Sequence, residues 1–231
     1  MPTATRRALQ SWSSIRTMLS EASGPKGARA PVILLHGLGA SSHVLGPLAR
    51  YLERELGRPI IRLRLGGRLP LHLGDVRGTA KRVQQEIERL ARTPGFAYVD
   101  VVGHSLGGLV ATYCLKALDR GRLVRKVITL GTPHRGTPIA LLGAFLFGAV
   151  SRAIWQMIPG SALLRELARR PVPVGSEIVA LGSDTDRLVP ARSSRPQSDS
   201  RMRCAALAGL GHVEFLTSRV AFRAVCAELA A

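Results

Sequence analysis

Nearly continuous apolar runs recur at 31–35, 59–63, 98–102, 127–130, 177–181 and 202–207 of the 231-residue chain. Runs of this length without polar alternation predict strands buried on both faces, as in a parallel sheet. Between them apolar residues return every three or four positions, which predicts helices over 44–56, 79–92, 106–118 and 213–229, with a longer apolar section at 138–170. Strands alternating with helices predict an α/β domain of about six mostly parallel strands with helices on both faces. Upstream, Leu9, Trp12, Ile15 and Leu19 mark a short amphipathic helix within 8–21, and turn formers at 23–29 lead into the main fold. The expected organisation is an N-terminal helix and linker at 1–30, then a single domain at 31–231 with no internal repeat.

The run at 98–102 leads directly into Gly103-His-Ser-Leu-Gly107, followed by a helix whose buried face would be Leu109, Val110, Tyr113, Cys114, Ala117 and Leu118. Glycines cost a regular element conformational entropy and a buried hydroxyl needs a partner, so the stretch is locally expensive. Between a strand and a helix, Gly-x-Ser-x-Gly is the strained turn that holds a serine clear of the sheet, at the strand end where ligands gather. Ser105 is therefore the candidate nucleophile.

A serine hydroxyl is a weak nucleophile and needs a base, which in turn needs an orienting carboxylate. Of six histidines, only His212 follows the late strands, in the loop before the final helix. His36, His104 and His134 flank motifs and are expected to shape loops or the pocket wall. The acid is sought after the run at 177–181, where both Asp184 and Asp186 qualify. Asp186 is preferred, because an aspartate followed by a small apolar segment and a proline resembles the acid loop of many hydrolases; Asp184 would then hold the turn. Glu166 and Glu214 lie in or beside predicted helices and are poorer candidates. The first run ends in Leu34-Leu-His-Gly-Leu-Gly39, so the main-chain N–H of Leu38 and that of Leu106 are the candidate oxyanion donors.

In order along the chain, Leu35-His-Gly-Leu-Gly39, Gly103-His-Ser-Leu-Gly107, Leu130-Gly-Thr-Pro-His-Arg-Gly-Thr137, Asp186-Arg-Leu-Val-Pro190 and Gly211-His212 resemble the α/β-hydrolase family, in particular its bacterial lipase and esterase branch. The likeness spans residue 31 to the C-terminus and implies a reduced, six-stranded version of that fold. It also implies that Thr132-Pro-His134 introduces a lid and that 159–164 is its closing half. The implied activity is carboxylic ester hydrolysis through an acyl-enzyme, with no metal or organic cofactor.

The apolar section is too hydrophobic to stand in water unpaired. Read as a cap at about 137–170, it supplies Leu141, Leu142, Phe145, Leu146 and Trp155 as candidates to line a pocket for a medium or long acyl chain. Read as a core helix, it supplies none of them. The expected substrate is a small-molecule or lipid ester; a thioester, an amide or cofactor-free haloperoxidase chemistry would use the same three residues.

Charge changes one part of this picture. Thirty-three Lys and Arg against fifteen Asp and Glu leave a formal net charge of +18. The arginines are scattered, which reads as a solvated surface, with attraction to an anionic membrane or polyanion as the alternative. Arg187, Arg192, Arg195, Arg201 and Arg203 gather near the acid loop, and a membrane-binding module with an inactive hydrolase body is the reading from another class. No zinc-finger spacing or aromatic-interleaved basic motif points to specific nucleic-acid binding. Cys114, Cys204 and Cys226 are widely spaced, without CxxC, and read as buried apolar residues. The uncharged stretch 137–151 is shorter than the roughly 20 residues of a membrane span, and no continuous apolar signal region follows Arg6-Arg7. A cytoplasmic setting, with membrane association left open, is expected; oligomeric state is not legible.

Overall fold

The computed structural model describes residues 30–65, 75–92, 96–141, 151–196 and 199–231. Its strands β1 (Val32–Leu35), β2 (Ile60–Leu63), β3 (Val99–His104), β4 (Val124–Leu130), β5 (Glu177–Gly182) and β6 (Met202–Ala206) form one sheet in the order β2-β1-β3-β4-β5-β6. Each neighbouring pair is parallel. The order reverses between β1 and β3, so the loops leaving these two strands diverge and open a crevice at their carboxyl ends.

The helices are α1 (Gly46–Leu56), α2 (Val76–Ala91), α3 (Leu106–Tyr113), α4 (Arg152–Gln156), α5 (Ala162–Arg169), α6 (Ala191–Ser194) and α7 (Arg219–Ala230). On one face of the sheet, Leu48 and Leu52 of α1 meet Phe222 and Val225 of α7 over Val32, Leu34, Val102 and Ile128. On the other, Val83 and Ile87 of α2, Leu109 and Val110 of α3 and Leu163 and Leu167 of α5 cover Ile33, Leu35, Val101 and Val127. Burying each such side chain contributes about 1.5–3 kcal/mol, which makes these two layers the main source of stability. Helix starts follow local chemistry: Asp75 accepts from the Gly78 N–H at 2.7 Å, and Ser161 from that of Leu164 at 3.3 Å.

All six predicted strands are present, with ends moved by a few residues. The helix predicted at 106–118 is split, α3 widening into a π-helical segment over Cys114–Asp119. The helix predicted from 213 begins at Arg219, where Ser218 caps it; a 3-10 turn at Glu214–Leu216 precedes it. Of the apolar section, α4 and α5 are separate short helices, divided at Pro159-Gly160, with Gly160 at φ 74°. They bury Ala153, Ile154, Met157, Leu163, Leu164 and Leu167 against the body. The predicted N-terminal helix at 8–21, the linker, and Leu142, Phe145 and Leu146 lie outside the described residues. No helix among the described residues is long and apolar enough to cross a membrane.

One charged cluster ties the amino ends of the strands. Asp100 on β3 is fully buried and takes Arg58 at 2.5 Å and Arg125 at 2.8 Å, while Arg58 Nε also donates to the Ala30 carbonyl at 2.6 Å. Part of the basic excess is thereby structural. Of the three cysteines Cys114 is buried, Cys226 half-buried and Cys204 exposed, a departure from the uniform burial expected: β6 is an edge strand whose residues 203–206 face solvent.

Candidate active site

Ser105 sits between β3 and α3 with φ 53° and ψ −121°, a conformation that non-glycine residues rarely adopt. Three hydrogen bonds hold the turn: the Ser105 N–H donates to the Leu130 carbonyl at 2.9 Å, and its own carbonyl accepts from Gly108 N–H at 3.0 Å and Thr132 Oγ1 at 3.1 Å. The flanking glycines are required by close approach. A Cβ at Gly103 would lie 2.6 Å from the Gly107 carbonyl, and one at Gly107 would lie 2.5 Å from the Leu35 carbonyl oxygen. Backbone at this crowding leaves no room for a side chain, so the hydroxyl is carried out of the sheet.

The loop after β1 is brought against the nucleophile: a Cβ at Gly37 would be 3.1 Å from the Ser105 Cβ. His36 orders this loop with both ring nitrogens, Nδ1–H donating to the Gly37 carbonyl at 2.9 Å and Nε2 accepting from the Leu65 N–H at 3.1 Å. That pattern keeps the ring neutral, and burial pushes its pKa down. Leu38 follows directly, packed against the core, and Leu106 is the first residue of α3. The two candidate oxyanion donors thus lie on segments that flank the Ser105 side chain.

The candidate base and acid converge from the far half of the chain. His212 Nδ1–H donates to Asp186 Oδ2 at 2.8 Å. Asp186 is buried, and its other oxygen accepts from the Leu188 and Val189 N–H groups at 2.9 and 2.8 Å. A carboxylate held by three donors keeps the imidazole in one tautomer, with Nε2 free to accept a proton. Asp184, the alternative acid, is elsewhere: its Oδ1 accepts from the exposed Gly209 N–H at 3.1 Å, which lowers its pKa. Gly131, at φ 52°, allows the pair to form, since a Cβ there would sit 3.1 Å from Asp186 Oδ2 and 3.2 Å from His212 Nδ1. Among the described residues, the Ser105 hydroxyl makes no hydrogen bond to His212.

His104 was expected only to shape the pocket wall. Its Nε2–H donates to the His212 carbonyl at 2.9 Å, and the two rings are 4.8 Å apart. Burial, and then the neighbouring His212, push its pKa down to about 4, so the ring is neutral near pH 7. His134 is joined to Thr129 Oγ1 at 3.0 Å on the β4 side. Thr132 anchors the Ser105 turn, a role that the sequence of the Gly-Thr-Pro stretch does not signal. Leu141 is 56% exposed and Trp155 54% exposed. Trp155 borders a cavity of about 600 Å³ with Asp75, Arg77, Lys81, Arg152 and Gln156, none of which belongs to the Ser105 site.

Residues 73–154 match the family model of a PGAP1-like alpha/beta domain. Over 115 residues the chain is 28% identical to a triacylglycerol lipase of Pseudarthrobacter phenanthrenivorans and to one of Burkholderia plantarii; the match takes in 48% of this chain and 35% and 32% of those relatives. The chain thus spans about a third of the curated relatives it matches. Among solved structures, the mature lipase BlEst2 of Bacillus licheniformis superposes with a TM-score of 0.74 at 17% identity, covering 90% of this chain and 94% of that one. A sheet order shared over almost the whole chain, at low identity, is a likeness of fold. The chain has the α/β-hydrolase fold and, over about half of its length, is similar in sequence to triacylglycerol lipases.

Proposed function

We propose that the protein is a serine hydrolase that cleaves carboxylic esters. The observation that carries this reading is the 2.8 Å contact of His212 with buried Asp186 beside a serine held at φ 53°. On substrate binding the Ser105 hydroxyl turns onto His212 Nε2, a contact of the kind that tightens in the Michaelis complex. His212 takes the proton, Ser105 Oγ attacks the ester carbonyl, and the Leu38 and Leu106 amides hold the oxyanion. His212⁺ then protonates the departing alcohol. Water, deprotonated by His212, attacks the acyl-enzyme, and Ser105 is released with the free acid.

The acyl part is of medium or long chain, held under a cap drawn from the start of the 137–170 section, since α4 and α5 are packed into the core. Exposed Ile139 and Leu141 support this, since apolar side chains at the start of the segment favour an apolar partner. Fluorophosphonate labelling of the intact chain, followed by hydrolysis of p-nitrophenyl esters from acetate to palmitate, tests both parts. Labelling at Ser105 that is absent in Ser105→Ala, with activity extending beyond acetate, is expected. An unlabelled chain would end the hydrolase reading; hydrolysis confined to acetate would end the acyl-pocket reading alone.

A further inference from the structure

A buried lysine without a carboxylate partner lies one helix length beyond the nucleophile turn. Lys116, on the π-helical continuation of α3, is 7% exposed. Its ammonium has three N–H donors. One reaches the Leu167 carbonyl at 3.2 Å and one the Met202 sulfur, a weak acceptor, at 3.6 Å. Among the described residues no carboxylate stands at ion-pair distance. Burying a cation in this state costs several kcal/mol unless an anion approaches.

The surroundings supply room and more positive charge. Lys116 lines a cavity of about 210 Å³ with Thr112, His134, Arg169, Arg170 and Asp199. A larger hollow of about 710 Å³, lined by Arg135 and Arg195, shares Pro196, Asp199 and Met202 with it and opens along the exposed edge strand β6. Asp199 accepts from Val172 N–H at 2.7 Å and Arg201 N–H at 3.0 Å, and its charge also acts on Lys116 from beyond ion-pair distance. Arg170 is paired with Glu166 at 3.0 Å, and Arg135 donates to the Arg195 carbonyl at 2.9 Å. Across the two adjoining hollows Lys116, Arg135, Arg169 and Arg195 share one lining carboxylate, Asp199. The local potential registers on His134, whose pKa is pushed down to about 3 by burial and then by Lys116.

We propose that the smaller hollow binds a phosphomonoester group, with Lys116 at its floor and Arg169 at its mouth, while Arg135 and Arg195 line the adjoining hollow and add positive charge. A dianion with three equivalent oxygens suits one point-like ammonium beside a planar guanidinium fork, whereas a carboxylate would leave part of these donors unused. The phosphate is either free, on a small soluble molecule, or the head group of an anionic lipid. The hollow contains none of Ser105, Asp186 and His212, so the inference stands apart from the ester-hydrolysis reading.

The test uses the whole chain. Inorganic phosphate, compared with chloride at equal ionic strength, is expected to raise Tm by about 3 °C at saturation, in wild type and in Ser105→Ala alike. The gain disappears in Lys116→Met, which keeps the buried stem, and falls at least threefold in Arg169→Ala/Arg195→Ala, where both side chains are exposed and folding is spared. Co-sedimentation with phosphatidylcholine vesicles carrying phosphatidic acid, but not with vesicles carrying an equal charge of phosphatidylglycerol, assigns the lipid source; phosphate binding without it assigns the soluble one. A Tm that responds to phosphate no more than to chloride, with no preference for phosphatidic acid, overturns the proposal. So does a phosphate effect that survives in both variants.

Discussion

His104 donates its Nε2–H to the main-chain carbonyl of His212 at 2.9 Å, so the residue before the candidate nucleophile holds the loop that carries the candidate base. Losing one such bond costs roughly 1 kcal/mol, on the order of a fivefold change in an equilibrium. His104→Phe keeps the ring volume and removes the donor. Its expected effect is a five- to tenfold fall in kcat with KM within about twofold. Steady-state kinetics on a p-nitrophenyl ester check it, and an equal rise in KM would show that the bond serves the pocket instead.

Asp186→Asn should reverse the tautomer preference of His212, because the amide presents an N–H where the carboxylate accepted one. The expected loss in kcat is on the order of a thousandfold or more, with the fold intact by circular dichroism. Asp184→Asn, which disturbs the bonds to the Gly209 N–H and the Ser183 hydroxyl, should stay within about threefold. Comparable losses in the two variants would contradict the assignment of Asp186 as orienting acid.

At the opposite end of the sheet, Asp100→Ala leaves Arg58, which is 8% exposed, without its carboxylate. Breaking a buried pair in this way costs about 3–5 kcal/mol. Urea unfolding should show an unfolding free energy lower by that amount, while kcat of the surviving folded fraction is unchanged. A loss below about 1 kcal/mol would mean that water and the Ala30 and Leu229 carbonyls satisfy Arg58 without the carboxylate.

Acid should destabilise the fold well before the carboxylates titrate. The folded-state pKa of His104 is depressed by burial to about 4, against an ordinary 6.5. Between these values the unfolded chain takes up a proton that the folded chain refuses, so stability falls as pH drops from 6.5 towards 4. For His104 the full loss is on the order of 3 kcal/mol. His134, depressed to about 3, extends the window downwards. Urea midpoints measured from pH 7.5 to 4.5 should decline, and the decline should be shallower in His104→Phe.

Much of this molecule was legible in one dimension. The six strands follow from uninterrupted apolar runs, and the Ser105 turn from glycines whose spacing only a crowded backbone demands. These are local signals, set by neighbours in sequence, and they survive without knowledge of the fold. What lies between distant segments did not show. Asp184 and Asp186 stand two residues apart in one loop, and only the end of β5, facing the Gly131 turn, presents Asp186 to His212. Lys116 falls among the apolar positions of a helix and gives no sign in the sequence of its burial beneath Leu167 and Met202, which come from 51 and 86 residues away. The apolar section at 138–170 read as one piece because hydrophobicity does not record which side is covered; packing on α2 and α3 makes its second half part of the core. Hydrophobic pattern determines which elements form, whereas the meeting of charges and hydrogen-bonding groups depends on chain crossings that close only when the sheet is assembled.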